Sequence, residues 1–356
     1  MSIEILPSKK SNLSPEIIKQ NVLPYYNLEN AHVSIIKFKN TDKQRAVYRV
    51  DFKEKSYCLK KVYYDLQDLL YVYSAIEWLY RNNIKVPKLI PTIDKNRFVS
   101  YDNMLFILTP WIEGEKCSFD NINHVKLSIK KLATIHSISR DFHPILGSSL
   151  REGFDDYYIT TLKHFQDLLH DSNESFKYKD KFSRHFILNF DLNLKLAQIS
   201  LDISNNIDKN NLSKSLCHGD YVNKNLIFTS AADDPWIIDF DKCKTDYCAK
   251  DLAYFMRRIL KRESTKWNIE LALTILKSYN EICQLTQSDL KYLISYICFP
   301  QKYWKISRDY YKNVHKCNKQ AFLNLLSNAT SKTKSQYDFS LNIIDIVQNE
   351  FNVQLL

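Results

Sequence analysis

His218-Gly219-Asp220-Tyr221-Val222-Asn223-Lys224-Asn225, followed by Ile237-Ile238-Asp239-Phe240-Asp241, is the stretch on which the reading of this chain turns. Asp220 and Asn225 stand five residues apart, and Asp239 follows fourteen residues later. A carboxylate at 220 can orient a hydroxyl group and receive its proton. The oxygens of Asn225 and Asp239 are the hard donors that magnesium takes alongside water and phosphate oxygens. An Asx-rich turn explains each Asp or Asn singly. It does not explain all three spacings together with the apolar runs Leu226–Phe228 and Trp236–Ile238. The layout predicts a phosphoryl-transfer site, with Asp220 as base and Asn225 and Asp239 as metal ligands. Asp241 is either a further ligand or a polar residue that happens to follow Phe240.

The bulk properties agree with a globular chain. Its 356 residues are 45% hydrophobic and 25% charged, enough for one large core or two packed units. The first residues lack a basic segment followed by an apolar one, and no run approaches the roughly 18 apolar residues needed to span a bilayer. Synthesis and retention in the cytoplasm, without membrane insertion, are therefore expected. The eight cysteines show no framework or paired zinc spacing, so they read as free thiols, with no metal site built on cysteine. The net charge of +10 comes from Lys and Arg dispersed along the chain. Dispersal argues against a nucleic-acid partner, whereas the sign suits a polyanionic ligand such as a nucleotide triphosphate.

Periodicity divides the chain into a β-rich part and a helical part. Strands are predicted at 33–38, 46–52, 56–62, 97–101 and 104–109, the last two joined by the turn pair Asp102-Asn103. One helix interrupts them over 65–82, on which Leu66, Leu70, Tyr73 and Glu77 form a stripe. Further helices are expected at about 120–140, 153–170, 180–206, 248–261, 266–283, 287–298 and 318–328. The implied fold is α+β and two-lobed. It has a β-rich nucleotide lobe over 1–108, a hinge over 109–115 and a helical catalytic and substrate lobe over 116–356.

Other residues complete a nucleotide site. Lys60 ends an alternating strand and is the candidate for gripping the α- and β-phosphates. Glu77 sits on the otherwise apolar helical stripe, where an unpaired carboxylate is costly. A buried Lys60–Glu77 pair is therefore preferred to a surface Glu77–Arg81 pair. In the hinge Thr109-Pro110-Trp111-Ile112-Glu113-Gly114, Pro110 has no N–H, which leaves Trp111 and Ile112 as donors to an adenine ring. Trp111 serves equally well as packing. His218 is expected to hydrogen-bond within the loop, and His136 to be a satisfied core histidine. Asp155, Asp156, Tyr157, Tyr158 and the Tyr303–Tyr311 region are the acids and aromatics available to an acceptor.

With Gly219 and Asp241 where protein kinases carry Arg and Gly, these motifs resemble the aminoglycoside/choline phosphotransferase branch of the kinase-like fold. Within that branch the chain is similar to the bacterial spore-coat CotS family. The segments that carry this likeness are Tyr57-Cys58-Leu59-Lys60, Val86-Pro87-Lys88-Leu89-Ile90-Pro91-Thr92, Trp111-Ile112-Glu113-Gly114 and Phe299-Pro300-Gln301-Lys302-Tyr303-Trp304. The resemblance implies ATP and Mg2+, a small-molecule acceptor, and deposition in a spore coat beside other coat proteins. It implies either an active phosphotransferase or a structural coat protein that kept the fold. One departure stands out: residues 33–60 contain no glycine. The turn Asn40-Thr41-Asp42-Lys43 would have to cover the triphosphate instead.

Overall fold

A computed structural model describes residues 12–39, 45–230 and 234–356. In chain order the elements are α1 (Pro15–Asn21), β1 (His32–Lys39), β2 (Arg45–Phe52), β3 (Lys55–Lys61), α2 (Leu66–Arg81), β4 (Val99–Tyr101), β5 (Met104–Pro110), β6 (Glu115–Lys116), α3 (Ile122–Ile138), α4 (Tyr157–Tyr178), α5 (Lys181–Leu188), α6 (Phe190–Asn205), β7 (Lys214–Cys217), β8 (Leu226–Phe228), β9 (Trp236–Ile237), β10 (Lys244–Tyr247), α7 (Cys248–Leu260), α8 (Ile269–Asn280), α9 (Gln287–Cys298), α10 (Gln301–Lys312), α11 (Lys319–Thr330) and α12 (Thr333–Phe351). The fold is α+β, with a β-sheet N-terminal region and a helical C-terminal part.

The chain packs into two compact units. The first takes the described residues up to Cys117, then Ile138–Glu152 and His218–Lys244. Its five-stranded antiparallel sheet has the order β1-β2-β3-β5-β4. Along β2, Ala46, Tyr48 and Val50 alternate inward, a period of two that buries one face of a pleated strand. They meet Leu59, Phe106 and Leu108 from the neighbouring strands, and the Tyr48 hydroxyl donates to the Leu13 carbonyl at 2.6 Å. The β4–β5 hairpin turns at Asp102 and Asn103, whose φ values of 51° and 56° are the left-handed pair that a tight two-residue hairpin needs. The expected Asn40-Thr41-Asp42-Lys43 turn lies outside the described residues.

Helix α2 is capped by Asp65, whose carboxylate accepts from the Asp68 N–H at 2.9 Å. The face it buries is not the predicted one. Leu69, Val72, Ile76 and Leu79 are 0–5% exposed, whereas Leu66 is 44% exposed. Both sets keep helical spacing in a helix that is apolar most of the way round, so periodicity alone did not choose between them.

The second unit takes Ser118–Ser137, Gly153–Cys217 and Thr245–Leu356. Its core includes Leu168, Phe182, Phe186, Phe299, Tyr303, Trp304 and Tyr310. Phe182 stacks on Tyr310 at 3.7 Å between ring centroids, and Phe186 on Tyr303 at 4.7 Å. The 303–310 aromatics offered above as acceptor contacts are therefore core, arranged on one face of α10. The predicted 180–206 helix is two helices that break at Asn189. Helices α10 and α12 were not foreseen. The buried face of α12 carries Thr333, Gln336 and Ser340 among its apolar residues, which hides the pattern.

Asp171 is a buried carboxyl in this unit, 3% exposed, and accepts a hydrogen bond from Ser307 Oγ at 2.6 Å. Burial pushes its pKa up to about 7, although the Ser307 hydrogen bond opposes the shift. Between the unfolded value of about 3.9 and the raised one, the folded state holds a proton that the unfolded state has lost. Stability from this group is thus present below about pH 4 and declines as pH rises towards 7. The urea midpoint of Asp171→Asn relative to the unmodified protein should therefore rise between pH 4 and pH 8. A pH-independent difference would show that Asp171 does not titrate this way.

Candidate active site

Lys60, on β3, faces the segment after β9 within the first unit. Its ammonium lies 2.6 Å from a carboxylate oxygen of Asp239 and 2.6 Å from one of Asp241. The Lys60 side chain is 16% exposed and that of Asp241 6%, while Asp239 is 33% exposed, so the lysine and Asp241 are withdrawn from water and Asp239 keeps an open side. Burial opposes charge on Lys60, but the Asp241 and Asp239 carboxylates outweigh it and raise its pKa above the ordinary lysine value. Burial likewise opposes charge on Asp239, and the Lys60 ammonium overrides it, holding the acid well below the usual carboxylate range.

The loop that carries Asp220 is tied to the Asp239 segment. The Asp220 N–H donates to His218 Nδ1 at 3.2 Å, so His218 Nε2 carries the proton and donates to the Ile238 carbonyl at 3.1 Å. The Ile238 N–H donates to the Asn225 carbonyl at 3.0 Å. Asn225 Nδ2 donates to the Asp220 carbonyl at 2.9 Å, which leaves the side-chain oxygen as the amide's donor towards a cation. The Asp220 carboxylate, 12% exposed, has Lys224 and Lys242 at 3.5 and 3.7 Å. Asp239 itself adopts a left-handed backbone, φ 68°, a strained conformation of the kind found at functional turns.

Gly219 explains the glycine of the motif. Its φ is +73°, and an added Cβ would lie 2.4 Å from the Lys242 carbonyl oxygen. A side chain has neither the conformation nor the room. Gly114, which ends the hinge, is similarly close to backbone, 2.4 Å from Phe228 O by the same construction.

A divalent cation fits the donors present. Asn225, Asp239 and Asp241 each offer a side-chain oxygen, and the Asp241 Oδ2 is buried without a hydrogen-bond partner among the described residues. Asp241, left open by sequence, joins the cluster. So do two residues that no motif indicated. The Tyr64 hydroxyl approaches Asp241 at 3.3 Å, and Arg151 Nη2 donates to the Asp241 carbonyl at 2.6 Å. Arg151 lies in the Ile138–Glu152 segment, distant in sequence from its target, so nothing in the chain's patterning marks it.

Two expectations are corrected. Lys60 does not pair with Glu77. Glu77 Oε1 lies 3.4 Å from Arg81 and 3.5 Å from Lys88, while Asp239 and Asp241 take the lysine. The one-turn neighbour and a cation from the 84–92 segment give Glu77 Oε1 its counter-charge, while Oε2 is buried with no hydrogen-bond partner among the described residues. In the hinge, the Trp111 N–H is already donated to the Ser56 carbonyl at 3.0 Å and continues the β3–β5 ladder. The Trp111 ring packs under the Arg49 guanidinium at 5.1 Å. Trp111 is therefore a packing residue, and its N–H is not free for a base.

Elsewhere, Asp155 pairs with Lys250 at 3.3 Å, Asp156 caps α4, and Tyr157 packs on Tyr292 at 4.2 Å. His136 is a core histidine with partners on both nitrogens: its Nδ1 meets the Tyr279 hydroxyl at 2.7 Å, and its Nε2 lies 3.8 Å from an Asp251 carboxylate oxygen. Its ligand atoms and those of Cys217 and Cys248 lie within 4.8 Å of one another, a cluster drawn from three distant segments that sequence spacing could not show.

A lysine on a central strand and the Asp220–Asn225–Asp239 layout are the arrangement expected of a kinase-like phosphotransferase. Residues 40–280 match the phosphotransferase enzyme family, and the chain belongs to it. Among solved structures it resembles an aminoglycoside phosphotransferase from Alicyclobacillus acidocaldarius, with TM-score 0.75, 18% identity, and 92% of this chain and 95% of that chain covered. A spectinomycin phosphotransferase in complex with ADP and spectinomycin matches with TM-score 0.58 and 19% identity over 88% and 95%. An amicoumacin kinase in complex with AMP-PNP, Ca2+ and Ami matches with TM-score 0.57 and 14% identity over 88% and 90%.

The clamp at Gly219 yields a direct test. Gly219→Ala forces a Cβ into a positive φ and against backbone, and should cost about 1–3 kcal/mol from strain alone. Urea denaturation reads the loss. An unchanged midpoint would contradict the close approach of Gly219 to Lys242.

Proposed function

We propose that the protein transfers the γ-phosphoryl group of ATP to a hydroxyl of a small molecule, with Mg2+ as the divalent ion. The observation that carries this reading is the Lys60 ammonium 2.6 Å from both Asp239 and Asp241. That contact joins the phosphate-gripping residue and the metal-type acids at one place. Solved structures of similar fold that hold ADP, or AMP-PNP with Ca2+, support nucleotide and divalent-ion binding.

In this reading Asp220 positions the acceptor hydroxyl and receives its proton as the new P–O bond forms. Lys60, kept as the ammonium by its surroundings, presents positive charge to the α- and β-phosphates. Asn225, Asp239 and Asp241 hold the cation through oxygen. When bound, the cation neutralises phosphate charge and fixes the triphosphate. Arg151 holds the Asp241 backbone and is a positioning residue. The Ile112 N–H is the hinge donor to the adenine. Residues 1–108 contribute the nucleotide lobe, 109–115 the hinge and 116–356 the catalytic and acceptor-binding part. The 218–244 loop of that last part packs with the first unit.

The CotS-like segments support a place in the coat of a bacterial spore, after cytoplasmic synthesis and among other coat proteins. A second reading, a coat protein that retains the fold with little or no turnover, is favoured by the absence of glycine between residues 33 and 60.

Thermal unfolding with ATP and Mg2+ tests binding. Nucleotide at about 100 times its dissociation constant should add about 2.7 kcal/mol of stability. No shift in the unmodified protein, or an equal shift in Asp239→Ala, would refute the site. Turnover is tested by ATP consumption with amino sugars, choline-like alcohols and sugars as acceptors. Asp220→Ala should abolish consumption while nucleotide binding persists. Consumption that survives this substitution removes Asp220 as the base, whereas binding without consumption by the unmodified protein selects the structural reading.

A further inference from the structure

A cavity of about 180 Å³ lies wholly within the second unit and uses none of the residues assigned above to nucleotide or metal. Five of its lining residues are cations, Arg257, Lys261, Arg262, Lys302 and Lys332, and none is acidic. Arg262 pairs with Asp120 and Lys332 with Glu263. Arg257, Lys261 and Lys302 make no ion pair among the described residues.

Arg257 is the decisive residue. It is only 8% exposed, yet its guanidinium makes no hydrogen bond or ion pair among the described residues; the Tyr296 ring lies 5.6 Å away. Burying an arginine without an acceptor is costly, and the cost falls when an anion supplies the missing oxygens.

Backbone adds to the same field. The lining residues Pro300 and Lys332 are the N-cap positions of α10 and α12, and neither cap makes a side-chain hydrogen bond. The first-turn N–H groups of two helices, of 12 and 19 residues, therefore begin at the cavity wall. Burial and the neighbouring charges of Arg257, Lys302 and Arg258 push the Lys261 pKa down to about 8, as expected of cations crowded together without counter-charge.

We propose that this cavity is a second anion site that binds a phosphate-class oxyanion, independently of the Lys60 cluster. Planar arginine and helix N-termini suit tetrahedral phosphate oxygens in particular, and the volume admits a phosphoryl group with a short polar substituent. A phosphate monoester and inorganic phosphate present the same oxygens, and titration separates them.

The test is calorimetric titration of the full chain, free of nucleotide, with inorganic phosphate and with glycerol 3-phosphate. Glycerol and chloride at matched ionic strength serve as controls. Phosphate, the monoester or both should bind and the controls should not. A tighter constant for the monoester identifies an organic phosphate as the ligand; an equal or tighter constant for phosphate identifies the free ion. Lys261→Gln with Lys302→Gln, at half-buried and exposed positions that leave the core intact, should weaken binding at least about tenfold. Lys60→Gln, which removes the cation of the nucleotide site, should leave it unchanged. Absence of binding, binding that survives the double substitution, or binding lost in Lys60→Gln would each overturn the proposal. The last result would place the anion at the nucleotide site.

Discussion

The ion cluster in which the Lys60 ammonium lies between Asp239 and Asp241 organises the first unit's chemistry. The buried Lys60 ammonium and Asp241 carboxylate, with the partly exposed Asp239 beside them, are tolerated because each is the others' counter-charge. Their opposite signs hold β3 and the turn after β9 together, two segments 179 residues apart in the chain. The remaining features of the site position this contact. Arg151 grips the Asp241 carbonyl, Tyr64 approaches its carboxylate, and the left-handed backbone of Asp239 aims the turn.

The loop from His218 to Asn225 is braced by backbone and side-chain hydrogen bonds that leave little freedom to Asp220. His218 bridges Asp220 and Ile238, Asn225 bridges Asp220 and Ile238 from the other end, and Gly219 allows the chain to pass against Lys242. Preorganisation of this kind suits phosphoryl transfer, in which positioning and charge stabilisation supply most of the catalysis. The motif's spacing thus reflects mechanical requirements as well as chemical ones.

Much of this was legible in the chain. The β8 and β9 strands, the first sheet and the Asp102-Asn103 turn follow from alternation and turn chemistry, which act over a few residues. The spacing of Asp220, Asn225 and Asp239 was readable because it is local, and their two segments meet through the Ile238 N–H and the Asn225 carbonyl. What escaped depended on distant packing. The partner of Lys60 was sought on α2 and found after β9. The buried face of α2 lay on a second stripe with the same period. The Trp111 N–H was consumed by a ladder that only the β3–β5 pairing reveals. Arg151, the His136–Cys217–Cys248 cluster and the cation-lined cavity bring together segments whose separate sequences carry no shared signal. The α10 aromatics show the converse, since residues conspicuous in sequence proved to be core.

The central claim is that β3 lysine, loop asparagine and the two acids form one phosphate and metal site. Anomalous scattering from crystals grown with AMP-PNP and Mn2+ tests it most directly. A manganese peak among the side-chain oxygens of Asn225, Asp239 and Asp241, with Lys60 against the nucleotide phosphates, is the predicted result. Nucleotide bound without contact to Lys60, or manganese bound away from those three side chains, would contradict it.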